Sequence, residues 1–217
     1  IRGVVARAFS KKVVDGLRTS IQTIIDELIE KAARIGTCDF VSEIAYPLPA
    51  TVVLNLLGVS LDYLPHVRHW ARDIVTTFAS ASPSLETILA GERALRELTD
   101  LVRIEIDKRR AQPQQDFLTE LLRAAEGDQR ITLDEMLGLC HVLFTAGHDT
   151  TVNSLVMGLV AWIRNPAQRE QFLAQPEQAM QGVSEMLRYI AMSSCQIRYA
   201  REDFDWHGQS IRAGDCV

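Results

Sequence analysis

The chain has 217 residues, of which 47% are hydrophobic and 24% are charged, and its formal net charge is -5. This composition is typical of a globular protein with one sizeable core, and it argues against intrinsic disorder. An acidic chain without a basic run also argues against a nucleic-acid surface, because phosphate contacts need clustered Lys and Arg. We therefore expect no nucleic-acid partner.

The four cysteines are Cys38, Cys140, Cys195 and Cys216. They are far apart and form no C-x-x-C pair, so the sequence predicts neither a zinc site nor a disulfide framework, and we expect a reducing, cytoplasmic location. The uncharged run 150–163 is shorter than the roughly 18 residues that span a bilayer, so no membrane partner is expected. Because the chain begins with Ile1 and closes on "AGDCV", we expect both of its ends to be cut.

Hydrophobic periodicity predicts a mostly helical chain. Residues 11–34 place apolar side chains on one stripe opposite charged ones, which predicts an amphipathic core helix. Pro47 and Pro49 interrupt the chain, and Gly58 closes the helix that follows them. Further helices are predicted at 63–80, 85–110 and 117–125. The stripe of the first helix consists of Val14, Leu17, Ile21, Ile24, Ile25, Leu28 and Ile29.

The next predicted helix, 132–165, is the longest. The segment "TLDE" starting at Thr132 is typical of a capping box, and Asn165 followed by Pro166 indicates the end of the helix. At 1.5 Å per residue the helix is roughly 50 Å long, enough to cross a whole domain.

The middle of this helix, "AGHDTT", is unusual because Gly, Asp and Thr are poor helix formers. The small residues Ala146 and Gly147 would let a flat ligand approach the backbone. The Thr150 hydroxyl can donate to the carbonyl of Ala146, and Asp149 beside it is a proton source. The alternative is a broken helix, in which Asp149 or Thr150 caps a second helix that begins near Val152.

This segment resembles the A-G-x-[DE]-T-T signature of the cytochromes P450, the heme-thiolate monooxygenases. "SEMLRY" resembles the E-x-x-R helix of that family, with Glu185 and Arg188 at the matching positions. "ARAFS", "FVSEIAYPLPATVVLNLLGVS" and "IRYAREDFDWHGQSIRAGDCV" resemble further segments in the same order. Together they cover nearly the whole chain and are most similar to soluble bacterial members of the family.

The resemblance implies a mainly α fold, part of the cytochrome P450 fold, with a small β portion near the C-terminal end. Residues 1–217 would be the central part of a single domain. The complete protein would insert one oxygen atom of O2 into a small hydrophobic organic substrate. Its electrons would come from NAD(P)H through a ferredoxin or flavodoxin-type donor with its reductase.

The resemblance also implies roles for individual residues. Thr150 and Asp149 would be the alcohol and the acid that deliver protons to the bound oxygen. Ala146 and Gly147 would lie against the heme, and Arg198 would pair with a heme propionate.

Further roles follow from the same resemblance. Arg2 would contact a second propionate, while Glu185 and Arg188 would be structural, as part of a buried charge network behind the heme. Apart from the resemblance, His141 or His148 could be proposed as an iron ligand, but a histidine on a helix is more often a hydrogen-bonded structural residue.

The departure from the family pattern concerns the iron ligand. The F-x-x-G-x-x-x-C-x-G loop is absent from the sequence, so the cysteine that ligates the iron of heme b is expected outside this chain. The four cysteines present are predicted to be small buried hydrophobes, and no metal ligand is assigned. Two alternatives stay open: a truncated, non-catalytic helical binding or interaction module, and a heme protein ligated by histidine.

Overall fold

A computed structural model describes residues 11–80, 82–114, 116–126, 131–192 and 198–217 of the chain. Arg2 lies outside these residues, so its contact with a propionate stays a prediction. The chain divides into two compact units, Ile1–Leu159 and Val160–Val217.

The first unit is helical, and its helices begin and end within a few residues of the predicted bounds. Pro47 stands at the start of the second helix, where its missing N–H is not needed. Gly58 follows the end of that helix with φ +64°. A π-helical turn, Val41–Ala45, and a 3-10 turn, Leu61–Tyr63, flank it. The helices are α1 (Lys11–Ile35), α2 (Pro47–Leu56), α3 (Leu64–Ala79), α4 (Leu85–Ala111) and α5 (Phe117–Glu126).

The long helix, α6 (Leu133–Arg164), is continuous. The predicted capping box is confirmed at its start. The backbone N–H of Thr132 donates to Glu135 Oε2 at 2.7 Å, and the N–H of Glu135 donates to Thr132 Oγ1 at 3.2 Å. The broken-helix alternative is wrong, because no second helix begins within α6.

The core of the first unit is built by α2 to α6. Burying one such apolar side chain stabilises the fold by about 1.5–3 kcal/mol relative to leaving it exposed. The largest fully buried apolar side chains are Leu54, Leu57, Val67, Leu98, Val102, Ile106, Leu118, Leu121 and Phe144.

Helix α1 differs from the prediction of a core helix. Leu17, Ile21 and Leu28 are only half-buried, and Ile29 is 53% exposed. The helix contacts α2 and the π-helical turn, and this contact covers only part of the apolar stripe. Helix α1 is therefore amphipathic as predicted, but the prediction that it is a core element is wrong.

A cluster of charges is buried where α4 and α5 meet the turn after α2. Arg109, 5% exposed, donates from Nη1 to Glu105, from Nε to Asp116 Oδ2 at 2.7 Å, and from Nη2 to the carbonyl of Gly58 at 2.6 Å. Glu105 is itself 4% exposed. The guanidinium group therefore joins three separate segments of the chain.

The second unit contains the last turn of α6 and the remaining elements. These are α7 (Pro166–Ala174), a 3-10 turn (Pro176–Gln178), α8 (Ala179–Ile190), β1 (Phe204–Trp206) and β2 (Gln209–Ile211). The two strands pair antiparallel with Phe204 opposite Ile211. The predicted mainly α fold with a small β portion near the C-terminal end is confirmed. None of the helices in the described part of the chain has the length and apolar character needed to span a bilayer.

Candidate functional site

One face of α6 is open to solvent in the middle of the helix. Val142 is 63% exposed, and Ala146, Thr150 and Asn153 are exposed as well. The opposite side of the same turns is buried, since Phe144 is fully covered. These four residues are three or four positions apart, so they form one partly polar face that points outward.

The hydroxyl groups of this face are bonded back to the helix. Thr150 Oγ1 donates to the carbonyl of Ala146 at 2.6 Å, as predicted. Thr151 donates to the carbonyl of Gly147 at 3.0 Å, and Ser154 donates to that of Thr150 at 2.7 Å. Because each hydroxyl bonds a carbonyl four residues earlier, none of them caps a new helix, and α6 continues through the segment.

Asp149 lies at the edge of this face, and its side chain is 34% exposed. Its Oδ1 is 3.1 Å from Nδ1 of His148. The predicted acid, Asp149, directly precedes the predicted alcohol, Thr150, and its side chain is within reach of solvent. Their roles in proton delivery stay predictions.

Gly147 allows α6 to approach α2 closely. A Cβ at this position would lie 3.1 Å from Cγ2 of Val53, which is tighter than ordinary van der Waals contact. A side chain at position 147 would therefore point toward α2, whereas the side chain of Ala146 is exposed. The predicted contact of both residues with a heme stays a prediction, and only Ala146 presents a side chain on the open face.

The two histidines of α6 are both engaged within the first unit. His141 Nε2 is 3.0 Å from Thr99 Oγ1, and burial lowers the pKa of His141. His148 is 1% exposed, and its ring meets that of Tyr46 edge-on at 4.9 Å. Neither ring is presented on the open face, so the structure does not favour the histidine-ligated alternative.

Tyr46 and Arg68 are neighbours of the site that the sequence did not reveal. The Arg68 guanidinium lies 5.3 Å from the centre of the Tyr46 ring. Burial raises the pKa of Tyr46 to about 12; the positive charge of Arg68 acts in the opposite direction, and the charge of Asp149 acts in the same direction. The only signal was the position of Tyr46 directly before Pro47, which says nothing about a partner on α6.

In the second unit, Glu185 and Arg188 form the predicted pair. Two hydrogen bonds of 2.7 and 2.6 Å join the guanidinium to the carboxylate, and the hydrogen bond from Arg188 is the main cause of a lowered pKa of Glu185. The side chains are 61% and 71% exposed, so the expected burial of this pair is not met within this chain.

Arg198 is exposed and lies in an extended segment near the C-terminal end. Its N–H and carbonyl both bond to Val217 at 2.8 Å. Its predicted contact with a propionate stays a prediction.

The prediction that the cysteines are buried is confirmed only in part. Cys140 is buried, which raises the pKa of its thiol to about 12, and Cys38 is half-buried. Cys216 is exposed, so the prediction is wrong for this residue. Cys195 lies outside the described residues. None of the described cysteines stands on the open face of α6.

The sequence pattern of the family described as "Cytochrome P450" matches residues 85–217. This region is more than half of the chain, and it contains the long helix with its "AGHDTT" segment. The chain therefore belongs to the cytochrome P450 family, and the predicted resemblance is confirmed.

Curated relatives come from several bacteria. Cytochrome P450 monooxygenase PikC of Streptomyces venezuelae is 35% identical over 221 residues, which cover 100% of this chain and 51% of PikC. Putative cytochrome P450 YjiB of Bacillus subtilis (strain 168) is 32% identical over 219 residues, with 100% and 55% covered. The chain thus spans about half the length of the curated relatives it matches.

A similar fold is found in the crystal structure of P450BioI in complex with a hexadec-9Z-enoic acid ligated acyl carrier protein. The TM-score is 0.89 at 26% identity, and the match covers 100% of this chain and 55% of that one. The match extends over both units of the chain.

Proposed function

We propose that this chain is the central part of a single cytochrome P450 domain and that the complete protein is a heme-thiolate monooxygenase. The reaction would insert one oxygen atom of O2 into a small hydrophobic organic substrate. The observation that carries the proposal is the pair Asp149 and Thr150 on the open face of a continuous helix. A hydroxyl and a carboxylate next to each other can relay protons between solvent and a bound molecule.

The residues on this face fit a flat, largely apolar group. Val142 and Ala146 are exposed and apolar, and the short side chain of Ala146 keeps the approach to the helix clear. Ala146, with the backbone of Gly147 beside it, would hold heme b from this side, and Arg198 and Arg2 would pair with its propionates. The heme would supply electron transfer and the activation of O2, and its cysteine ligand is expected outside this chain.

Thr150 would order the proton donors. Its hydrogen is donated to the Ala146 carbonyl at 2.6 Å, so both lone pairs of its oxygen can accept hydrogen bonds from water or from a protonated carboxylic acid. Asp149 is partly exposed, so it can take up a proton from solvent and release it toward the open face. The pair therefore links water outside the protein to the site above Ala146.

The proposed electron donors are those that the resemblance to the cytochromes P450 implies. Electrons from NAD(P)H would arrive through a ferredoxin or flavodoxin-type donor with its reductase. Relatives include a cytochrome P450 monooxygenase, PikC, and a polyketide biosynthesis cytochrome P450, PksS. These names support a monooxygenase that acts on an organic molecule.

The test is Thr150→Ala in the full-length, heme-loaded protein. We expect less product per NAD(P)H consumed and more hydrogen peroxide, because a proton donor is no longer ordered on the open face. Thr151→Ala is the matched control, since Thr151 makes the same bond to a carbonyl four residues earlier. Unchanged coupling in Thr150→Ala, or equal losses in both variants, would overturn the assignment.

A further inference from the structure

Two buried polar atoms next to Asp149 have no hydrogen-bond partner among the residues that the structure describes. They are Nε2 of His148 and the hydroxyl oxygen of Tyr46. His148 is 1% exposed. Buried polar atoms are nearly always paired, because leaving one unpaired in the interior is costly. Within the described residues, the hydrogen bond of the His148 imidazole is therefore made by its other nitrogen, Nδ1.

That other nitrogen, Nδ1, lies 3.1 Å from Oδ1 of Asp149. When the carboxylate is ionised it can only accept a hydrogen bond, so Nδ1–H is then the donor in this contact. Consecutive side chains on a helix do not normally face each other. The contact therefore requires that the imidazole and the carboxylate both turn toward each other. Oδ2 of Asp149 has no partner within the described part of the chain, which leaves this oxygen for proton transfer.

The ring of His148 is held from a second element. Tyr46, directly before α2, meets the imidazole edge-on at 4.9 Å between ring centres. Arg68 of α3 lies 5.3 Å from the centre of the Tyr46 ring, a cation–π distance. Tyr46 thus contacts the imidazole directly, and Arg68 contacts Tyr46.

We propose that His148 is a positioning residue for Asp149, which it holds through the Nδ1–H donor while Tyr46 keeps the imidazole in place. The inference rests on the proposed function, because the carboxylate it orients is the acid of the proton-transfer pair. Without the donor, the Asp149 side chain would rotate freely, and protons would reach the site less often in the productive geometry.

Two substitutions in the full-length, heme-loaded protein separate positioning from packing. His148→Phe keeps a ring beside Tyr46 and removes the donor, whereas His148→Asn keeps an N–H close to the place of Nδ1 and loses the ring. We expect His148→Phe to lower product per NAD(P)H by about tenfold and His148→Asn to stay within about twofold of wild type. A merely structural role predicts the reverse order, and that order would overturn the proposal.

A second measurement does not depend on turnover. Histidines are labelled with nitrogen-15 in the full-length protein, which is reduced and bound to carbon monoxide so that the iron is diamagnetic. The His148 signals are assigned from their loss in His148→Asn. We expect a proton on Nδ1 in the wild type and its transfer to Nε2 in Asp149→Ala. An unprotonated Nδ1 in the wild type would overturn the proposal.

The outcomes distinguish this inference from the proposed function. If Thr150→Ala leaves coupling unchanged, the proposed function fails. If Thr150→Ala uncouples the enzyme and His148→Phe does not, only the role of His148 fails. Uncoupling in both variants, with Nδ1 protonated, supports both.

Discussion

The guanidinium group of Arg109 occupies the space that a side chain on Gly58 would need. Nη2 of Arg109 donates to the carbonyl of Gly58 at 2.6 Å, and a Cβ on Gly58 would collide with the same group. Gly58 also has φ +64°, a region that residues with a Cβ rarely adopt. The turn after α2 therefore depends on glycine for two reasons, its backbone conformation and its contact with a buried charge.

Arg109→Ala should lower the free energy of unfolding by about 3–5 kcal/mol. The substitution removes the guanidinium from the buried carboxylate of Glu105, which is 4% exposed. Lys108 Nζ stays 2.8 Å from Glu105 Oε1, but this ammonium group is largely exposed and compensates the charge only in part. Urea denaturation of the full-length protein, followed by circular dichroism, measures the loss. Arg110→Ala is the control, because Arg110 is exposed and pairs with Asp107 at 3.2 Å. Its loss should be about 0–1 kcal/mol, and equal losses would contradict the prediction.

Asp116 should make stability depend on pH in the acid range. Burial acts to raise the pKa of Asp116, but hydrogen bonds from Thr119 and Arg109 outweigh it and hold the pKa below its ordinary value. As the pH falls, Asp116 therefore binds its proton at a higher pH in the unfolded chain than in the folded protein. The contribution of Asp116 to the free energy of unfolding is fully present above the pKa of the unfolded state, about 3.9. It is lost as the pH falls through the lower pKa of the folded state.

Asp116→Asn should therefore be less stable than the wild type at pH 7, and the difference should shrink below about pH 4. Urea denaturation of both proteins at about six pH values, from roughly pH 3 to pH 7, measures how the difference in unfolding free energy depends on pH. Asp107→Asn, at an exposed position, should change stability by no more than about 0.5 kcal/mol. A difference for Asp116→Asn that stays constant down to the lowest pH would contradict the assignment.

Local features of the chain could be predicted from the sequence because they depend on residues three or four positions apart. The capping box of Thr132 and Glu135 and the bond from Thr150 to the Ala146 carbonyl are of this kind. A proline or glycine sets each end of α2, so its bounds were also predictable. The same local rules identified the acid and the alcohol on one helix face.

Features that depend on distant segments could not be predicted. The spacing in α1 indicated an apolar stripe but not how much of it other helices cover, and Ile29 is 53% exposed. The contact of Gly147 with Val53 and that of His148 with Tyr46 join α6 to the region of α2, far away in sequence. Periodicity shows which residues share a face, whereas the element that this face meets is decided by the tertiary fold.

Gly91 of α4 marks another close approach, here to α3. A Cβ at this position would lie 3.0 Å from Cβ of Thr77 and 3.1 Å from the carbonyl oxygen of Asp73. The neighbour at Asp73 is backbone and cannot move aside as a flexible side chain would. Gly91 is therefore expected to be required for the packing of α3 against α4.

Gly138→Ala should stabilise the protein, whereas Gly91→Ala should leave its stability unchanged or lower it. Alanine is the better helix former by about 1 kcal/mol at either position, but at Gly91 the overpacking against α3 should cost about 1–3 kcal/mol. At Gly138 of α6 no described atom lies within 4 Å of the added Cβ, so the gain should appear in full. Urea denaturation of both full-length variants measures the two shifts. If Gly91→Ala is as stable as Gly138→Ala, α3 and α4 can move apart without loss of stability. The packing of these two helices then does not require glycine at position 91.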